Sequence, residues 1–271
     1  MRHQPRRDSR GILDPHRLMR DVRFRRRLPA TALRCYVEHY WLVDWELTGS
    51  FAQQVVPHPA VNVVFARHDD ALETAEVAGV GQRLFSITLA GTGRVCGIQF
   101  RPGGFRPFWR RSVAELTGVR RPLTTGPSAA VGGSAAGPGP VCAGTDDERC
   151  AALDAVLTAW APEPDPVADE VIALVEEIRA DRSILRVDDF ARRHDSSVRR
   201  LQRLFLEYVG VGPKWVIRRY RLQEAIEQAA DGPQDWAALA SELGYSDQAH
   251  LVREFTAVAG VSPAAYARSL R

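Results

Sequence analysis

Two stretches near the C-terminus decide the fold: SSVRRLQRLFLEYVGVGPKWV at 196–216 and SDQAHLVREFTAVAGVSPAAY at 246–266. Their identities fall at a constant separation of 50 residues. The pairs are Leu201 and Leu251, Arg203 and Arg253, Phe205 and Phe255, Gly210 and Gly260, Val211 and Val261, and Pro213 and Pro263. Just upstream the register slips by one residue, because Ala191 pairs with Ala240 and Ser197 with Ser246. The chain is therefore expected to contain one supersecondary unit twice.

The first unit has the pattern of a helix-turn-helix. A short helix with Phe190 on its inner face is followed by a turn at 194–196, and Ser197 is expected to cap the next helix. On that second helix, Leu201, Leu204 and Phe205 recur at i, i+3 and i+4 and should point into a core. The polar residues left on the outer side are Arg199, Arg200, Gln202 and Arg203. This arrangement is typical of a recognition helix.

The second unit repeats the pattern. Gly244 is predicted in its turn, Ser246 is expected to cap the following helix, and Leu251 and Phe255 should point inward. Gln248, His250 and Arg253 are left outside. Between the units, PKWVIRRYRLQEAIEQAA at 213–230 predicts one rigid helix that would hold the two recognition helices at a fixed separation.

This geometry suits DNA. A helix fits the major groove, and its outer side chains reach base edges and phosphates. Two bridged recognition helices could enter successive major grooves about 10 bp apart. The predicted DNA-binding residues are Ser196, Ser197, Arg199, Arg200, Gln202, Arg203, Lys214, Asp247, Gln248, His250 and Arg253.

About 100 C-terminal residues resemble the DNA-binding domain of AraC/XylS-type bacterial transcription regulators. The residues that carry the resemblance are Ala191, Ser197, Leu201, Gln202, Arg203, Phe205, Gly210, Pro213, Arg221, Leu222, Ala225, Ala240, Gly244, Tyr245, Phe255, Gly260, Ser262, Pro263 and Tyr266. The upstream segments VEHYW, VVPHPAVNVVF, AGVG and FRPGGF are similar to a poorly characterised domain that precedes this unit in some regulators. The resemblance implies control of transcription through promoter DNA, commonly with an N-terminal domain that senses an effector or dimerises.

The rest of the chain divides by composition, and the predicted fold class is α+β. Residues 1–27 are expected to form a loosely held basic arm, and 28–123 a β-rich domain, either a small barrel or sandwich-like, ending in a short helix at 107–117. A Gly/Ala/Pro linker at 124–145 and an acidic connector helix with a Pro-rich break at 146–166 should follow. Residues 167–271 are predicted to be all-α, with about seven helices.

Charge is unevenly distributed behind a net charge of only +3. The arm holds ten Arg against three Asp, whereas 146–181 holds two basic against eleven acidic residues. Residues 192–221 hold nine basic against two acidic residues, and 222–271 are net acidic. We therefore expect the first recognition helix to supply most of the phosphate affinity. The arm could either touch nucleic acid or remain a solvated tail.

Other function classes find little support. The four cysteines form no CxxC pair, so neither a zinc site nor a disulfide framework is indicated. His39, His58 and His68 with Glu38 suggest a metal site only weakly. No catalytic set, cofactor fingerprint, signal peptide or membrane span is recognisable, so we expect a cytoplasmic protein that is not an enzyme and has no cofactor or metal.

The partners left open are a small-molecule effector in the N-terminal domain, RNA polymerase for an activator, and a second copy of the chain. The alternative function is a small-molecule-binding or enzymatic β domain regulated by the helical domain. DNA alkyl-group repair is a third hypothesis, but it would require an activated cysteine.

Overall fold

The computed structural model describes residues 11–13, 15–123, 140–231 and 235–269. Two predicted segments fall largely outside this part of the chain: the first ten residues of the basic arm, and residues 124–139 of the linker.

The described N-terminal half is built on one antiparallel sheet. Its strands are β1 (Arg23–Arg27), β2 (Val37–Val55), β3 (Asn62–His68), β4 (Thr74–Ala78), β5 (Phe85–Phe100) and β6 (Arg120–Pro122). Within the described residues their order across the sheet is β1-β2-β5-β3-β4-β6, and every neighbouring pair is antiparallel. The predicted β-rich domain is confirmed, and its architecture is a single sheet whose longest antiparallel pair is β2 and β5.

Each face of the sheet has its own core because side chains alternate along a strand. Tyr40, Leu42 and Ile98 lie on one face and pack against helix α3 (Asp146–Ala159). Trp45 and Val95 lie on the other face and pack with residues of helix α1 (Pro15–Asp21).

The short helix expected at 107–117 is divided into two pieces. Helix α2 spans Arg106–Trp109, and a single turn of 3-10 helix spans Val113–Leu116. Arg110 ends α2 because its backbone adopts the left-handed conformation, with a φ of 58°. Trp109, Val113 and Leu116 are all buried, so both pieces contribute to the same core.

The described part of the basic arm is ordered, which differs from the loosely held arm expected from sequence. Strand β1 pairs along β2. Arg25 forms salt bridges with Asp44 and Asp146 at 2.5 Å, and Arg27 contacts Asp147. The basic arm and the acidic connector therefore neutralise each other, and α3 is part of the β domain instead of a free connector.

The end of the predicted linker is also docked. Val141 and Cys142 are buried against the sheet. Their backbone amides donate to the Glu73 carboxylate at 2.9 and 2.7 Å. Thr145 then begins α3 with a capping box completed by Glu148.

The described residues from 166 onward form the predicted seven helices. They are α4 (Pro166–Ala180), α5 (Val187–Arg193), α6 (Val198–Tyr208), α7 (Pro213–Asp231), α8 (Trp236–Glu242), α9 (Gln248–Ala259) and α10 (Pro263–Ser269). The α+β class with an all-α C-terminal half is confirmed.

Helix α7 belongs to both helix-turn-helix units. Val216 and Ile217 in its first half pack with α4, α5 and α6. Ala225 and Ile226 in its second half pack with α8, α9 and α10. Helix α7 is thus part of the cores of both units, and this fixes the two units relative to each other.

The β domain contacts both units. Thr117 donates a hydrogen bond to the Gly210 carbonyl, just after α6, at 2.5 Å. Arg106 donates to Glu207 on α6 at 3.0 Å. Leu13 and Val56 are buried in the core of the second unit. The β domain therefore packs against both helix-turn-helix units.

Candidate nucleic-acid interface and internal cavity

Helix α6 begins as the sequence predicts. The Ser197 hydroxyl accepts a hydrogen bond from the Arg200 amide at 3.1 Å, so Ser197 is the N-cap. Leu201, Leu204 and Phe205 are buried. Gly210, directly after the helix, has the left-handed φ of 93° that glycine permits.

The opposite face of α6 is exposed and polar. Arg199, Gln202 and Arg203 lie at i, i+3 and i+4 on this face. Lys214, one helix further on, is also exposed. Arg199, Arg203 and Lys214 form no ion pair with any carboxylate in the described part of the chain.

Leu206 continues the same exposed face and was missed in the sequence analysis. Its side chain is 46% exposed, which is unusual for leucine in a packed helix. The signal was available from sequence, because Leu206 stands four positions after Gln202 and outside the 201, 204 and 205 pattern.

Arg200 lies on the flank of α6 instead of its outer face. Its guanidinium makes a bidentate ion pair with Glu170 of α4, with distances of 2.8 and 2.9 Å. This pair holds the pKa of Arg200 above its usual range, mainly through the side-chain hydrogen bond. The structure thus separates Arg200 from Arg199 and Arg203, with which the sequence analysis grouped it.

Two arginines of the basic stretch 192–221 are buried in the protein interior. Arg221 is buried and donates to the carbonyls of Ile178 and Asp181 at the end of α4. Arg219 is buried over the Trp215 ring, where desolvation lowers its pKa to about 10. The positive charge counted along the sequence therefore overstates the charge available at the surface.

Helix α9 has a different cap from the one predicted. Asp247 is the N-cap, and its carboxylate accepts from the His250 amide at 2.6 Å. Ser246 stands one residue earlier, with its hydroxyl 3.3 Å from the Asp247 carboxylate. The prediction of Ser246 as the cap was wrong, because the one-residue slip between the repeats falls after Tyr245, so Asp247 aligns with Ser197.

The other predicted residues of α9 differ in their surroundings. Gln248 and Arg253 are exposed. His250 is partly covered, with Nδ1 3.2 Å from the Ser246 hydroxyl and Nε2 3.5 Å from Arg218. Arg218 is itself paired with Glu254. Ser196, in the turn of the first unit, is mostly covered and its hydroxyl is buried.

A cavity of about 810 Å³ lies over the Trp45 face of the sheet. Its walls are mainly apolar side chains of β2, β3 and β5, and its lining also includes Arg179 of α4 with Tyr220 and Gln223 of α7. The cavity is thus lined by the β domain and by two helices of the DNA-binding half. This cavity was not predicted from the sequence, because its walls come from strands that are distant along the chain.

A largely buried ion pair contributes to the lining of the cavity. Arg179 donates to the Glu38 carboxylate at 2.9 Å, and Gln99 donates to its other oxygen at 3.2 Å. Burial by itself would raise the pKa of Glu38, but attraction to His58, Arg179 and His39 lowers it to about 2. Glu38 is therefore ionised at neutral pH and links the sheet to α4.

The histidines noted from sequence are distributed around this cavity. His39, His58 and His68 all line it. Among the described residues, no group of three or more His, Cys, Asp or Glu side chains is arranged to hold a metal ion. Over that same part of the chain, no helix combines the length and apolarity needed to cross a membrane.

Two family matches cover most of the described chain. Residues 25–122 match the family described as "Domain of unknown function (DUF6597)". Residues 190–269 match a family described as "Helix-turn-helix domain".

Among solved structures, the chain is similar to ToxT from Vibrio cholerae. An apo form of ToxT that carries one substitution is 12% identical, with 86% of this chain and 97% of that chain covered and a TM-score of 0.42. The wild-type form with a bound unsaturated fatty acid is 14% identical, with 84% and 94% covered and a TM-score of 0.41.

The family matches agree with the geometry of the C-terminal half, in which two capped helices with polar outer faces are bridged by α7. The chain therefore has the domain composition of a DNA-binding transcription regulator: an AraC-type helix-turn-helix domain at the C-terminus, preceded by a DUF6597 domain.

Proposed function

We propose that this chain regulates transcription by inserting α6 and α9 into successive major grooves of one operator. The observation that carries the proposal is the pair of capped helices bridged by α7, each with a polar face turned away from its core. Because α7 is shared, the two helices would meet DNA at one fixed spacing, about one helical turn apart.

The roles within the interface follow from exposure and pairing. Arg199, Gln202 and Arg203 would contact bases and phosphates in the first groove, with Lys214 on the adjoining backbone. In the second groove, Gln248 and Arg253 would make the corresponding contacts. Ser197 and Asp247 would act chiefly by capping their helices.

Three further predicted residues would play smaller parts. Arg200 would reach a phosphate only by exchanging Glu170 for it. His250 would reach DNA only after leaving Ser246 and Arg218. Ser196 would support the turn of the first unit.

The second part of the proposal is that a small molecule in the cavity regulates DNA binding. The cavity has the size and apolar lining that ligand sites commonly have. Its lining includes Arg179, Tyr220 and Gln223, which belong to helices of the DNA-binding half. A ligand that binds one arrangement of these helices better would shift the population toward that arrangement. No catalytic step is part of this proposal, and the protein would act in the cytoplasm.

The experiment that tests the DNA-binding mode is selection of random oligonucleotides with the purified full chain. We expect a recovered site with two short half-sites whose centres lie about 10 bp apart. Inserting about five base pairs between them should strongly reduce binding, because the second half-site then faces the opposite side of the duplex. Inserting a full turn of about ten should also fail, because α7 cannot extend.

The matched variants are Arg203→Ala and Arg83→Ala, which remove the same charge from α6 and from an exposed loop of the β domain. Only Arg203→Ala should weaken binding to the selected site. A selected site that tolerates the five-base-pair insertion, or equal losses for both variants, would contradict the two-groove proposal.

A further inference from the structure

Two tryptophans on the cavity face of β2 lie flat on glycines of β5. Trp41 is directly paired with Gly97, and Trp45 with Gly93. A Cβ atom at Gly97 would stand 1.9 Å from Cε2 of Trp41, and one at Gly93 would stand 2.1 Å from Cζ2 of Trp45. Only glycine leaves room for an indole ring at these positions, so each ring packs directly on the backbone of its glycine.

Both indoles are also held by their N–H groups. Trp41 donates to the Asn62 side chain at 3.3 Å, and Trp45 donates to the Ala90 carbonyl at 3.1 Å. Trp45 is almost completely buried, but Trp41 is only partly buried and lines the cavity. The cavity therefore has a flat aromatic wall whose orientation is fixed by the glycine beneath the ring and by the hydrogen bond at its edge.

A buried acceptor in the cavity wall lacks a donor. Gln53 is 6% exposed, and its amide nitrogen donates to the Gln54 carbonyl at 2.8 Å. Its carbonyl oxygen, Oε1, is buried and has no hydrogen-bond partner among the described residues. A buried acceptor without a donor is unfavourable. Gln53 lines the cavity, so a turn of its side-chain amide would bring this oxygen to a ligand hydroxyl or N–H.

We propose that the cavity binds a planar aromatic molecule that carries a hydroxyl or N–H group, stacked on Trp41 and donating a hydrogen bond to Gln53. Offset stacking on a fixed ring favours a planar ligand over a flexible chain with the same apolar area. A volume of about 810 Å³ accommodates a molecule of two or three fused or linked rings. Such a molecule would be the regulatory ligand of the proposed function, and its role in regulation rests on that proposal.

The first test compares three probes on the unmodified full chain by isothermal titration calorimetry. A monohydroxylated flavone has both features, unsubstituted flavone lacks the donor, and decanol has the hydroxyl without the ring. We expect the hydroxyflavone to bind about tenfold more tightly than flavone and at least tenfold more tightly than decanol. Equal affinity for decanol would overturn the stacking, and equal affinity for flavone would overturn the hydrogen bond. Failure of all three to bind would overturn the ligand class.

The second test assigns the two contacts to residues. Trp41→Leu should lower hydroxyflavone affinity about tenfold, whereas the control Trp236→Leu, outside the cavity, should leave it unchanged. Gln53→Leu should abolish the preference for hydroxyflavone over flavone without changing flavone affinity. Unchanged affinity in Trp41→Leu would contradict the proposal.

Two further measurements keep this test interpretable. If Trp41→Leu does not fold, as judged by circular dichroism, Trp41→Phe keeps an aromatic ring and should show a smaller loss of the same sign. Gel shifts on the selected operator without ligand, made in parallel, separate failure of this inference from failure of the DNA-binding proposal.

Discussion

The two helix-turn-helix units share one architecture and differ at the end of the helix that would meet DNA. Helix α6 begins with the neutral hydroxyl of Ser197, and α9 begins with the carboxylate of Asp247. The N-terminus of a helix attracts anions through its unpaired amides and its dipole. At α9 the protein's own carboxylate already occupies that position, whereas at α6 the cap is an uncharged hydroxyl.

The two outer faces differ in the same direction. Arg199 and Arg203 on α6 are exposed and form no ion pair with described residues. On the α9 side, Arg218 is engaged by Glu254, and His250 is in contact with Arg218 and Ser246. Equal folds thus present unequal surfaces, and the first unit should provide most of the electrostatic affinity.

The largest expected effect that tests this inequality comes from the equivalent arginines Arg203 and Arg253. Arg203→Ala should weaken operator binding tenfold or more, consistent with loss of about 1–3 kcal/mol, and lower the salt dependence. Arg253→Ala should weaken it about threefold, since α9 carries an opposing carboxylate. Gel shifts at several salt concentrations measure both. Equal losses would remove the distinction between the units.

The two units can also be compared by how much the serine near the start of each recognition helix contributes to the free energy of unfolding. Ser197→Ala removes the hydrogen bond to the Arg200 amide and should lower the free energy of unfolding by about 1 kcal/mol. Ser246→Ala removes no cap and should change it by less than about 0.5 kcal/mol. Urea denaturation distinguishes the two. A larger loss in Ser246→Ala would restore the sequence-based assignment of the second cap.

Asp247→Ser would convert the second helix start into a copy of the first. Serine still caps the helix, but the negative charge beside the DNA backbone is removed, so operator affinity should rise about threefold with a steeper salt dependence. Asp247→Asn is the matched control, since it removes the charge and also retains a capping oxygen. If operator affinity rises in only one of the two variants, the effect comes from the shape of the side chain and not from its charge.

The same variants predict a pH dependence. The hydrogen bond from the His250 amide lowers the pKa of Asp247 below its usual value. Its stabilising contribution is therefore present above the unfolded pKa of about 3.9 and is lost as the pH falls through the lower, folded pKa. Asp247→Ser should flatten this part of the acid-unfolding profile.

The smallest expected effect concerns Arg200. Glu170→Gln would weaken the bidentate pair and free the guanidinium for a phosphate, which should raise operator affinity about twofold at low salt. Asp189→Asn removes the same charge from the Arg192 contact on α5 and is the control. Operator affinity is measured by gel shift. An equal rise in affinity for both variants would indicate a general charge effect.

Several local features could be predicted from sequence because neighbours along the chain determine them. The periodicity of Leu201, Leu204 and Phe205 predicted the buried face of α6, and Ser197 was correctly identified as its cap. The second cap was assigned one residue too early, because both Ser246 and Asp247 can cap a helix and only the position of Tyr245 in the turn selects between them.

Charge was the less reliable guide, because pairing depends on distant residues. The arginines of β1 were expected in a loose arm but meet Asp146 and Asp147 of α3, more than a hundred residues away. Arg219 and Arg221, counted in the basic patch, are buried by α7 packing against the rest of the protein. Counting charges along the chain cannot show which of them remain at the surface.

The sequence alone determined the duplicated helical unit, the β-rich half before it and the outer faces of α6 and α9, because helix and strand periodicities are local properties. The tertiary structure decided which arginines are free, which carboxylate caps α9, and the cavity walled by Trp41, Gln53 and Arg179. Those features arise where strands and helices distant in sequence meet, and burial, ion pairing and enclosure exist only once that packing has formed.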